Sequence, residues 1–395
     1  MGKIAHDSAL SDNLKLRAKA TAAVAAQTAD AVDRDARFPA ETFRAARDQR
    51  LLGILVPTEL GGDSASVSDV MDICYLLGGA CASSGLIFAM HQIMVAILVR
   101  HARSSAWHRR LLQRLCTEQL LLASSTTEGQ DGGDLRRSTC ALEQTGARVA
   151  LTKSATCVSY GAQADAILTT ARRSADGLPT DQIVVVFLKD DCQLDPITDW
   201  NALGMRGTCS IGFMLKGNGE ADQVLPESYQ TILARSMMPL AHLTWSAVWA
   251  GLAASAVERA QRFVRTAARR AEGRLPPGAA HLTRASMSLR SLRALVATAR
   301  QRFEAVADQV DELESLDFQG ELNLLKVNAS ELAIATVMSA MQACGLSGYQ
   351  NQGEFSVSRH LRDVLSSSIM IHNDRILASA GAFSFLIEVP NWLRR

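Results

Sequence analysis

Three hydroxyl side chains in a row, Ser125, Thr126 and Thr127, run into Glu128-Gly129-Gln130-Asp131-Gly132-Gly133-Asp134. Such hydroxyls, placed just ahead of a Gly-rich turn, can donate and accept hydrogen bonds. The same stretch also reads as a plain β-turn with an Asx contact from Asp134. Two imidazoles, His242 and His372, belong to the residue type that titrates near neutrality and can take or give a proton. Asp374 adds a carboxylate close by, with an ion pair to Arg375 or Arg362 as its bland alternative. His91 falls on an apolar stripe, as core or channel lining. Gln342-Ala343-Cys344-Gly345-Leu346-Ser347-Gly348-Tyr349 ends a helical pattern with glycines. That is a Gly C-cap, which leaves backbone exposed at a helix end.

Composition removes several classes. The 395 residues suffice for two or three domains, and 48% hydrophobic content with a net charge of +1 fits a soluble globular protein. Near-neutral charge gives no case for nucleic acid. No apolar run approaches the ~20 residues of a membrane span, so none is expected. Without a signal-peptide core near the N-terminus, the expected compartment is the cytoplasm. Eight cysteines are scattered with no C-x-x-C pair, so neither a metal site nor a disulfide framework is expected.

Three zones must position these groups. Residues 1–118 carry apolar and Ala positions at helical spacing, with a Pro/Gly loop at Val56–Gly62. Residues 119–228 hold short apolar runs separated by turn residues, which predicts an antiparallel barrel or sandwich. Residues 229–395 hold four long helical segments, Leu240–Arg270, Gly278–Leu313, Asp317–Cys344 and Phe355–Leu386, which predict a four-helix bundle. The fold class is thus mainly α with a central β-domain.

Within the middle zone, Trp200-Asn201-Ala202-Leu203-Gly204-Met205-Arg206-Gly207-Thr208-Cys209-Ser210 resembles a signature turn of the acyl-CoA dehydrogenase superfamily. Other pieces follow in the family's order. Leu55–Gly62 is similar to its Val-Pro, acidic, Gly-Gly loop. Thr127–Asp134 resembles Thr-Glu-Pro-x-x-Gly-Ser-Asp, with Gly129 at the Pro and Gly133 at the Ser that touches the acyl chain. Lys153–Asp165 is similar to Lys-x-Trp-Ile-Thr-Asn-…-Ala-Asp. Arg269–Gly273 resembles Arg-x-x-Phe-Gly, Gln342–Tyr349 resembles Gln-x-x-Gly-Gly-x-Gly-Tyr, and Arg359–Asp363 resembles a structural Arg-x-x-Arg-Asp.

The resemblance implies FAD. Ser125, Thr126, Thr127 and Ser159 would contact its ring, with Cys157 where an aromatic usually covers it. Arg269, Gln342 and Gly345 would reach the pyrophosphate, adenine and ribitol of a neighbouring subunit's FAD in a homo-oligomer, dimer or tetramer.

The resemblance breaks at the base. Acyl-CoA dehydrogenation removes a proton alpha to a thioester, and the family's Glu for this stands eight residues after the Arg-Asp pair, or on the first bundle helix ten residues before a Gly-Leu. Here those seats hold Ile371 and Ala241. His372, His242 and Asp374 are the replacements to test. Three functions stay open. The first is dehydrogenation of an acyl thioester, on CoA or a carrier protein, with a non-standard base and electron-transfer flavoprotein as acceptor. The second is a monooxygenase taking reduced FMN or FAD from a flavin reductase, with oxygen. The third is a silent FAD-holding subunit of a hetero-oligomer.

Overall fold

The computed structural model describes residues 2–128 and 135–381, and side chains from residue 12 onward. Five helices come first: α1 (Gly2–Arg34), α2 (Ala40–Asp48), α3 (Val67–Ala80), α4 (Ala82–His101) and α5 (Ala106–Glu118). Ser66 caps α3 in a capping box with Asp69, and Ser105 caps α5. Seven strands follow: β1 (Leu122–Ser125), β2 (Glu143–Thr145), β3 (Arg148–Val158), β4 (Ala166–Arg172), β5 (Gln182–Leu188), β6 (Cys192–Pro196) and β7 (Ile211–Glu220). The C-terminal region holds α6 (Tyr229–Ile232), a π-helical turn (Leu233–Met237), α7 (Met238–Arg270), α8 (Ala279–Val306), α9 (Val310–Glu314), α10 (Leu316–Cys344), α11 (Leu346–Tyr349), α12 (Ser358–Ile369) and α13 (Asn373–Gly381).

The strands form two sheets, in the orders β1-β4-β5 and β2-β3-β7-β6. They face each other where the Phe187 ring of β5 lies over Gly217 of β7. No barrel closes among the described residues, and β1 pairs with β4 in parallel. Of the expected antiparallel barrel or sandwich, the two facing sheets give the sandwich, and the antiparallel expectation is corrected at the β1–β4 pair. Parallel pairing arises because the chain passes through the second sheet between β1 and β4.

The bundle is α7, α8, α10 and α12 with α13. The expected single last helix is two, broken at Met370–His372, where Ile371 and His372 take φ of 56° and 47°. Neither Gly nor Pro marks the break. Three helical stretches, Ala82–His101, Tyr229–Arg270 and Leu316–Cys344, have the length and apolar composition to cross a bilayer, contrary to the sequence expectation. In the fold, 83%, 83% and 50% of their most apolar windows are buried, so they serve as core. α3 and α7 cross tightly: a Cβ on Gly78 would sit 2.4 Å from the Val248 carbonyl oxygen.

The turn before β7 is where the three regions meet. Met205, itself left-handed at φ 51°, donates its N–H to the buried Asp363 carboxylate of α12 at 2.7 Å. Arg362 donates to the Leu203 carbonyl at 3.1 Å and pairs with Asp33 at the end of α1. Arg206 donates to the Asp33 carbonyl at 2.7 Å. Only glycine fits at 204, because a Cβ there would stand 2.1 Å from the Arg362 carbonyl oxygen. Burial pushes the Asp363 carboxyl up to about 6, against the opposing pull of Arg359 and the Met205 amide.

Asp363→Ala should therefore cost about 2 kcal/mol, because it leaves the buried Met205 N–H without its acceptor and Arg359 with Asp30 as its remaining carboxylate. Asp363→Asn keeps an acceptor and should cost less than about 1 kcal/mol. Since the folded pKa lies above 3.8, the burial cost of this charge should ease as pH falls through about 6. Urea unfolding at pH 7 and 5 checks all three statements.

Candidate functional site

β1 ends at Ser125, and a fully buried lysine fixes that end. Lys153 of β3 donates Nζ–H to the Ser125 carbonyl at 3.1 Å, to the Thr170 carbonyl at 2.8 Å and to Thr170 Oγ1 at 3.0 Å. Glu128 closes the arrangement at 3.4 Å from the same nitrogen. Burial lowers the lysine's pKa, with Cys140 and Glu128 opposing. Burial would raise that of Glu128. It is outweighed by hydrogen bonds from Ser138 and Thr139 and by the Lys153 charge, which take the carboxyl down to about 2. The strand end is thus held by an ion pair and backbone carbonyls rather than by packing alone.

Ser125 Oγ is buried and has no hydrogen-bond partner among the described residues, so a donor is left over at the strand end. Thr126 lines a small cavity with Met94, Ile97, Leu168, Tyr229 and Met237. Thr127 Oγ1 accepts a long contact from Thr156 at 3.4 Å. Ser159 Oγ lies 2.8 Å from Ser210 Oγ, which lies 2.7 Å from Thr208 Oγ1, whose proton goes to the Met205 carbonyl at 2.9 Å. Ser159 is thereby tied to the turn that α12 holds. Cys157 is exposed. Gly129, Gly133 and Asp134 lie outside the described residues.

Thr126 and Met237 share a cavity at the start of α7, and Arg269 stands at its other end. At ~1.5 Å per residue these are roughly 45 Å apart. Arg269 and Gln342 are exposed, and Gly345 is exposed with φ 55°. Both belong to one end of the bundle: a Cβ on Gly278, which precedes α8, would sit 2.7 Å from the Ala343 carbonyl oxygen. The expected contact residues therefore fall into two groups that one chain does not bring together.

The proton-transfer candidates separate as well. His242 is buried in the α7–α10 seam, its Nδ1 2.9 Å from the Leu322 carbonyl and its Nε2 without a partner. Burial, with the Lys326 charge adding, lowers its pKa to about 4, so it is neutral at pH 7. His372 and Asp374 are exposed at the α12–α13 break, and Ala241 is buried. His91 is core. Its Nε2–H donates to the Leu52 carbonyl at 2.8 Å, and its Nδ1 accepts from the Leu122 N–H at 3.0 Å.

Sequence reasoning missed the Lys153–Glu128 pair and the buried Lys326, whose Nζ lies 2.6 Å from Asn373 Oδ1. Lys326 was visible as one charge on an apolar stripe of Leu322, Leu325, Ala329 and Ala333.

Residues 12–119 match the acyl-CoA dehydrogenase N-terminal domain, and residues 233–377 match the acyl-CoA dehydrogenase C-terminal domain. The chain belongs to the acyl-CoA dehydrogenase family. Within this family it is 25% identical to amino sugar nitrososynthase DnmZ of Streptomyces peucetius, over 86% of this chain and 84% of that one. Its fold superposes on FMN-bound TdsC from Paenibacillus sp. A11-2, a dibenzothiophene monooxygenase, with a TM-score of 0.80 at 21% identity, covering 96% and 98% of the two chains. KijD3, solved with FMN and a dTDP-linked amino keto sugar, gives 0.80 at 24% identity, covering 97% and 95%. The acyl-CoA dehydrogenase family scaffold is thus present.

Lys153→Met is expected to cost about 3 kcal/mol, because it leaves the Glu128 charge without its cation. Adding Glu128→Gln should recover part of that loss. Glu128 contributes stability above its ordinary value of 4.5 and loses it as pH falls toward about 2. Acid unfolding of Glu128→Gln should lack that component.

Proposed function

We propose that this chain is a flavin-dependent monooxygenase. It takes reduced flavin from a separate reductase and, with dioxygen, oxygenates a small organic substrate. The observation that carries this reading is the asymmetry of the site. The strand end suited to a flavin ring is built and fixed, while both seats of the family's carboxylate base hold groups that accept no proton. DnmZ, named an amino sugar nitrososynthase, and TdsC, named a dibenzothiophene monooxygenase, support the same direction.

The residues present fit a flavin. Ser125 Oγ is a buried hydroxyl without a partner among the described residues, and Thr126 and Thr127 continue the row from a strand end that Lys153 immobilises. Ser159 adds a hydroxyl held in a chain to Thr208. A reduced flavin, when bound, supplies the two electrons and the activation of dioxygen. Around it, Ser125 to Thr127 would donate to the ring's polar edge, and the apolar residues beside Thr126 would exclude water. His372 is the group we assign to proton transfer: its imidazole would take the proton that the substrate heteroatom or carbon gives up. Arg269, Gln342 and Gly345, roughly 45 Å away along α7, would serve the flavin of an adjacent copy in a dimer or tetramer.

The test supplies NADH, a flavin reductase, FMN or FAD and 18O2, with amines, indole and dibenzothiophene as probes. One 18O atom in a product is the expected result, and His372→Ala should lower kcat about 100-fold while the Kd for reduced flavin stays within twofold. Anaerobic bleaching of bound FAD by an acyl thioester would instead establish a dehydrogenase.

A further inference from the structure

Ile371 and His372 are consecutive non-glycine residues at positive φ, 56° and 47°. A β-branched side chain is strongly disfavoured there, and such backbone persists only where the surroundings over-determine it. Local hydrogen bonds close the ends of the turn: Met370 N–H to the Ser366 carbonyl, His372 N–H to Ile369 and Arg375 N–H to His372. They are the ordinary bonds of two helix ends and do not select the left-handed pair.

The selecting contacts come from α10. Asn373, buried and the first residue of α13, turns its side chain away from its own helix. Its Oδ1 accepts from Lys326 Nζ at 2.6 Å, and its Nδ2–H donates to Ser330 Oγ at 2.9 Å. Ser330 in turn donates to the Val327 carbonyl at 2.7 Å. Lys326 and Ser330 are four residues apart on one face of α10, so both ends of a single amide are gripped by a rigid element. The grip is reciprocal. Among the described residues no carboxylate pairs with Lys326; it has only the Asn373 oxygen and the face of Trp249, 6.0 Å from the ring centre. Losing Asn373 would leave a buried amine without an acceptor, which the fold resists.

We propose that Lys326 and Ser330 clamp the Asn373 amide to hold the Ile371–His372 turn in its left-handed form, so that Lys326 is a positioning residue for His372. The positioning role rests on the assignment of His372 to proton transfer; the clamp itself does not. Lys326 never touches substrate in this scheme. It fixes where the α13 helix begins and hence where the preceding imidazole stands.

Amide hydrogen exchange and steady-state kinetics of Lys326→Met, Asn373→Ala and the double variant test this. Lys326→Met should raise exchange at residues 370–376 at least tenfold, with α7 and the Tm little changed. In the reduced-flavin assay its kcat should fall about tenfold, with KM and reduced-flavin Kd within twofold. The double variant should be no worse than the worse single one, because both remove the same link. Unchanged exchange at 370–376, a rise spread evenly over the chain, or additive effects would overturn the clamp. Where Lys326→Met does not fold, Asn373→Ala carries the exchange test alone. If the wild type shows no reduced-flavin turnover, the exchange data still decide the clamp, and only the role given to His372 falls.

Discussion

The carboxylate of Asp363 is the contact on which the rest depends. It sits buried on α12 and accepts the N–H of Met205, in a turn where Gly204 is pressed against the Arg362 carbonyl. A charge buried at this depth is costly unless its partners are fixed. Here they come from separate parts of the chain: Arg359 and Arg362 from the bundle, Met205 from the β region, and Asp30 and Asp33 from α1, which pair with the two arginines. One cluster therefore joins the N-terminal helices, the sheets and the bundle. The hydroxyl chain from Ser159 ends on the Met205 carbonyl, so the same contact also sets the height of one wall of the proposed flavin site.

A second fixed point complements it. Lys153 is buried under the end of β1 and binds the carbonyl oxygens of Ser125 and Thr170, with Glu128 as its counter-charge. Catalytic sites need their contacting groups set to a fraction of an ångström, and an ion pair inside a sheet does this better than a free loop. Both anchors use charge buried at a cost and place it where backbone groups must not move. The α12–α13 end of the bundle, with Lys326 beneath Asn373, repeats the device with an amide instead of a carboxylate.

The order of helices, strands and bundle was legible because apolar spacing changes from 3.6 to short runs and back. The Gly204-Met205 turn was legible because two glycines flank it. The parallel β1–β4 pair was not, since no local pattern reports which distant strand a strand will join. The break at Ile371 was hidden because the residues that cause it lie on α10, and the break carries no Gly or Pro. His242 and His372 look alike in sequence. Burial against Leu322 makes the first neutral, and exposure leaves the second accessible. Lys153 and Glu128 were legible as motif positions but their pairing was not, and the partner of Lys326, Asn373, lies on another helix, where no local pattern reports it.

The proposed function requires that this scaffold take flavin as a reduced, diffusing co-substrate rather than keep it as a resident oxidant. Anaerobic titration with reduced and with oxidised FMN and FAD measures this directly. Reduced flavin should bind at least tenfold more tightly than oxidised. Protein that purifies with one tightly held oxidised FAD per chain, unaffected by dilution, would contradict it.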